Sequence, residues 1–128
     1  MKKVLLTLST LATFAMADTK ATINDTMASM EKGMNTIQKG FLYNQKATIL
    51  EGTDIILEAN SIFSKVDVQS LTHGSKATQV ISNINGNITN NVKELKKMVN
   101  ANKFADASKQ YGKVMNDCVA CHTVIRKW

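Results

Sequence analysis

Between residues 23 and 41 the apolar side chains fall at Ile23, Met27, Met30, Met34, Ile37 and Phe41, separated by 4, 3, 4, 3 and 4 positions. Only a helix gathers that spacing on one side; a strand would divide it between two faces. The stripe is narrow, as in a helix that packs lengthwise against partners. A second stripe closes the chain: Phe104, Ala107, Tyr111, Val114, Cys118, Cys121 and Ile125, spaced 3, 4, 3, 4, 3, 4. Both cysteines therefore fall on the buried side of a last helix, predicted from about Lys103 to Arg126.

Two further helices are predicted between them. Residues 45 to 65 carry a broad apolar face of Ile49, Leu50, Ile55, Ile56, Leu57, Ile62, Phe63 and Val66. A third helix runs from about Lys76 to Asn100 on Val80, Ile81, Ile84, Ile88, Val92, Leu95, Met98 and Val99. Gly86 and many asparagines weaken it, so packing must hold it. "VDVQSLTHGS" around Gly74 reads as a loop, and "NANKFADASK" carries the last turn. The chain has no proline to interrupt long helices. Short connections make neighbours antiparallel, so the expected fold is all-α, an up-down-up-down four-helix bundle.

The first 17 residues read as a cleaved export signal: Lys2 and Lys3, an apolar run from Val4 to Ala15, and the small-x-small site Ala15-Met16-Ala17. The run is shorter than the ~20 residues of a membrane span. An uncleaved amphipathic first helix is the competing reading. Cleavage leaves residues 18–128 as one domain, with no membrane span, in the bacterial periplasm. It takes the 16 Lys and Arg to 14 against 10 Asp and Glu, a net charge of +4. Scattered lysines and only 4 Phe, 2 Tyr and 1 Trp give no nucleic-acid stripe.

The chain's 2 cysteines lie in "CVACH", Cys118 to His122. Cys-x-x-Cys-His is the attachment signature of c-type haem. Cysteines at i and i+3 share a helix face, so two thiols reach the two vinyl groups on one porphyrin edge. The following histidine lies beneath the iron as its proximal ligand. A Cys118–Cys121 disulfide would be strained and would close almost no loop. A thioredoxin-like pair wants the start of a helix, not its end. A zinc site needs more ligands, and the other histidine, His73, is in a distant loop.

The motif at the C-terminus of a four-helix bundle, "CVACHTVIRKW", resembles the cytochrome c-prime family, the class II c-type cytochromes. The resemblance implies one covalent haem c held by Cys118 and Cys121, with His122 as proximal ligand. It also implies that Arg126 lies near the haem's proximal side; as a bare sequence feature Arg126 is a solvated cation at a helix C-terminus. In the family the distal residue comes from the first helix. Counting back along an antiparallel first helix puts Met27 at that level, Met30 one step on and Met34 about 10 Å away. Methionines at this spacing also serve as core filler. Where many members carry an arginine one turn before the distal residue, this chain has Ile23, with Lys20 the nearest upstream cation. The aromatic neighbours usual in the family's third helix are missing.

Two functions follow. Ligation by His122 and Met27 gives a low-spin electron carrier that meets other periplasmic redox proteins transiently, since a thioether favours ferrous iron. An open distal site gives a five-coordinate, high-spin haem that binds NO or CO. No enzymatic acid/base pair accompanies Met27, and Glu31 and His73 read as incidental. Many family members dimerise through their first two helices, and exposed Leu50 and Leu57 would permit a homodimer here.

Overall fold

The computed structural model describes residues 8–72 and 74–127. Helix α1 spans Leu8–Leu42, α2 Lys46–Phe63, α3 Ser75–Asn100 and α4 Phe104–Arg126, with a short 3-10 helix at Val68–Leu71 between α2 and α3. Each helix packs on its sequence neighbour, so the chain runs up, down, up and down as a four-helix bundle. Lys2 and Lys3 of the expected export signal, and His73 of the loop, lie outside the described residues. Helix α1 continues unbroken through Ala17. Among the described residues no helix is long and apolar enough to cross a membrane.

Helices α1 and α3 end where the backbone turns left-handed. Asn44 (φ 53°) and Asn102 (φ 59°) close α1 and α3. Asparagine tolerates this region better than most residues with a Cβ. Beyond each, an amide reaches back to an orphan carbonyl: Gln45 to Gly40 at 2.8 Å and Lys103 to Met98 at 2.9 Å. Both hairpin turns are thus Schellman-type caps. The α2–α3 connection is less of a loop than the sequence suggested. The Asp67 carboxylate accepts from the Gln69 amide at 3.0 Å and starts the 3-10 turn.

Packing is uneven around the bundle. α1 with α2, and α3 with α4, form two closely packed hairpins, whereas α1 and α4 touch sparsely. The first hairpin is close because its helices meet at glycine. A Cβ on Gly33 would lie 2.5 Å from Ile56 Cγ1 and 3.0 Å from the Gly52 carbonyl oxygen. One on Gly52 would lie 2.7 Å from the Gly33 oxygen and 2.8 Å from the Ile37 nitrogen. The main core then fills in from Ile37, Ile49, Ile56, Val92, Leu95, Val99 and Val114. A second cluster of Met30, Ala59, Phe63, Ile81 and Cys121 occupies the motif end.

Four apolar assignments change. Leu50 and Leu57 are not exposed; they pack half-buried against the main core. They lie three residues before Thr53 and Asn60, on the side of α2 that meets α3, so the buried arc of α2 is wide enough to cover them. The exposure that would have permitted a homodimer through these two residues is therefore not present. Ile62 and Val80 fall just outside the buried arcs of α2 and α3 and are exposed.

Amides tie the helices where apolar packing gives way. Buried Asn60 donates from Nδ2 to the Asn85 carbonyl (3.0 Å) and to Thr89 Oγ1 (2.8 Å), and accepts from Asn85 Nδ2 (2.9 Å). Buried Gln110 donates to Asn91 Oδ1 (2.8 Å), and Asn91 donates to Asp117 Oδ2 (2.6 Å). The first set joins α2 to α3 and the second joins α3 to α4. Among the described residues no buried side-chain polar atom is left without a partner.

Candidate functional site: a cleft between the first and last helices

Where α1 and α4 part, they leave a cleft of about 570 Å³, within the range that holds a cofactor. Its α4 wall is the motif itself: Cys118, Cys121, His122 and Arg126. Its α1 wall is the methionine stripe, with Ile23, Met27, Met30 and Met34. Asn60 and Phe63 of α2 and Asn85 and Ile88 of α3 form the back, and Met115 and Val119 the α4 lip. All six residues singled out in the sequence, Cys118, Cys121, His122, Arg126, Met27 and Met30, therefore line one cavity.

The two walls acquire a register from Tyr111. Its hydroxyl donates to the Met34 carbonyl at 3.4 Å, and its ring meets Phe41 edge to face at 6.2 Å. Met27 lies seven residues before Met34. Seven residues after Tyr111 is Cys118, so on antiparallel helices Met27 stands across from the CVACH turn. Met34 stands ~10 Å further down. Met30 falls between them and is buried against Cys121 in the second core cluster; Met27 is half-buried beside it.

The motif's chemistry follows from its burial. Cys121 is buried and Cys118 half-buried, and both are free thiols. Burial, helped by the neighbouring Asp117 and Cys121, pushes the Cys118 thiol up to about 11. Burial alone raises Cys121. Both therefore stay protonated near neutral pH, the opposite of a thiolate redox pair, whose reactive cysteine is lowered by a helix N-terminus or a cation. His122 is shifted down by burial and then by Arg126, which favours the neutral imidazole that a metal requires. Among the described residues no group of three or more His, Cys, Asp or Glu side chains is gathered for a metal ion. The protein donors of a structural zinc site are thus not assembled around the motif.

The donor set fits a haem c: two thiols three residues apart on one face, an imidazole next to them, and a largely apolar cavity with soft thioethers on the far wall. The reading from sequence missed the back wall. Asn85 reads in sequence only as one of the asparagines that weaken the third helix, and Asn60 carries no reading at all, whereas their reciprocal amide pair gives the cleft a polar floor. A single asparagine in the apolar run "ILEANSIF" was the available signal. No protein-family model, no curated protein and no solved structure matches this chain.

Proposed function

We propose that the protein is a c-type cytochrome of the periplasm that carries one covalent haem in the α1–α4 cleft and passes single electrons between redox proteins. One observation carries the reading: the CVACH turn and the methionine stripe, at opposite ends of the sequence, are the two walls of one cavity. When bound, the haem supplies reversible one-electron chemistry at its iron. Cys118 and Cys121 anchor its edge through thioethers. His122 holds the iron from the α4 side, its ring nitrogen kept neutral by burial. Met27, across from the motif, would hold the iron from the α1 wall, and Met30 packs beside it. Arg126 lies at the cleft, where its charge offsets an acidic haem substituent. The likeness of "CVACHTVIRKW" to the cytochrome c-prime pattern supports the same assignment. So does the leader-like start that closes on Ala15-Met16-Ala17.

The test is the mass and optical spectrum of the protein exported by a host competent in cytochrome maturation. A mass increased by one haem and a low-spin spectrum in both oxidation states are expected. Met27→Ala should convert it to high spin and admit CO rapidly, while Met30→Ala leaves it low-spin. A colourless protein of unmodified mass ends the haem reading. A high-spin, CO-binding wild type leaves the haem but replaces the carrier with a receptor for NO or CO.

A further inference from the structure

The end of the bundle remote from the CVACH turn is formed by the two hairpin turns. Lys46 ties them together, donating from Nζ to the Asn100 carbonyl (3.1 Å) and to Asn102 Oδ1 (2.8 Å). On this tip Leu42 is 75% and Tyr43 67% exposed, the most exposed large apolar side chains among the described residues. Phe41, one residue earlier, turns inward onto Tyr111; Leu42 and Tyr43 do not follow it. The charge around them has one sign. Residues 39–48 and 97–105 contain Lys39, Lys46, Lys97 and Lys103 and no Asp or Glu. The next carboxylates on α3 and α4, Glu94 and Asp106, are each within 3.6 Å of a lysine of their own helix, Lys97 and Lys109.

We propose that this tip docks on an anionic membrane surface. Leu42 and Tyr43 enter the boundary between headgroups and acyl chains, and the exposed Lys39 and Lys103 face the phosphates, with the charge of Lys46 held between the two turns behind them. Apolar insertion combined with lysines is the chemistry of a peripheral lipid contact, and tyrosine favours that boundary because its ring is apolar and its hydroxyl wet. A protein partner fits less well. Two projecting side chains fall far short of the ~800 Å² per partner that a stable protein interface covers. Met27 is fifteen residues from Leu42 along α1, ~22 Å, so docking by the tip leaves the α1–α4 cleft facing away from the lipid. The proposal does not depend on the haem.

The test is cosedimentation of the full chain, as purified, with vesicles of equimolar phosphatidylglycerol and phosphatidylcholine at low ionic strength, scoring pelleted protein rather than colour. Wild type should pellet with these vesicles and not with pure phosphatidylcholine. Leu42→Ser combined with Tyr43→Ser should lower partitioning by about tenfold, and Lys39→Glu or Lys103→Glu by about fivefold each. Lys76→Glu, the same charge change at the other end of the bundle, should retain binding. All these positions are exposed, and far-ultraviolet circular dichroism verifies that each variant is folded. The proposal is overturned if wild type ignores anionic vesicles, which returns the tip to a protein contact. It is overturned equally if pure phosphatidylcholine serves as well, if the Leu42/Tyr43 variant binds like wild type, or if Lys76→Glu is as damaging as Lys103→Glu.

Discussion

Gly52→Ala tests whether the α1–α2 hairpin is held backbone to backbone. In an exposed helix this change stabilises by up to ~1 kcal/mol, because glycine has more freedom to lose on folding. At Gly52 the new methyl would sit 2.6 Å from Ile37 Cγ1, 2.7 Å from the Gly33 carbonyl oxygen and 2.8 Å from the Ile37 nitrogen. A side chain can rotate away, but the other two atoms are backbone. Ordinary contact at about 3.4 Å requires α1 to retreat by ~0.7 Å over its central turns. Overpacking of this kind costs about 1–3 kcal/mol, and the backbone partners place it at the upper end. After the propensity gain, a net loss of ~1–2 kcal/mol is expected. Urea unfolding followed by circular dichroism should show a lower midpoint at unchanged slope. Gly86→Ala is the control, since nothing lies within 4 Å of its added methyl; it should raise stability by ~0.5–1 kcal/mol. If both variants move in the same direction, the close glycine contact is not what sets the α1–α2 distance.

Other outcomes follow from the same structure. Asn91→Ala strips buried Gln110 of its side-chain acceptor and Asp117 of its donor, and should cost ~1–3 kcal/mol in the same unfolding assay. Asn102→Ala forces a methyl-bearing residue to φ 59° and should lower stability by ~1 kcal/mol, largely restored by Asn102→Gly. Asp54→Asn breaks the ion pair with Lys96, whose partners are 60% and 36% exposed. It should change stability by less than ~1 kcal/mol, and salt should shrink the difference further.

The four helices and their order were legible because each carries a long apolar stripe of unambiguous period. The ends of α1 and α3 were legible in principle from Asn44 and Asn102, the residue type that most readily replaces glycine at a left-handed cap. The CVACH face was legible because i and i+3 fix two thiols on one side of any helix. Leu50, Leu57, Ile62 and Val80 were harder. How wide an arc a helix buries depends on how many neighbours it has, and periodicity does not count neighbours. The glycine contact was hidden for a related reason: Gly33 and Gly52 lie 19 residues apart, and only the hairpin brings their backbones together. Asn85 reads as a liability in its helix because its partner, Asn60, is 25 residues away in sequence and only the packing of α2 on α3 joins their amides.

The sparse seam between α1 and α4 joins the two ends of the chain, while every other helix pair is made by sequence neighbours. Closing the longest loop is entropically the most demanding step and brings the least contact in return. The α1–α4 seam is therefore the part of the bundle that contributes least to holding it shut. In the proposed cytochrome, a haem seated in the gap would supply the contacts that α1 and α4 do not make with each other.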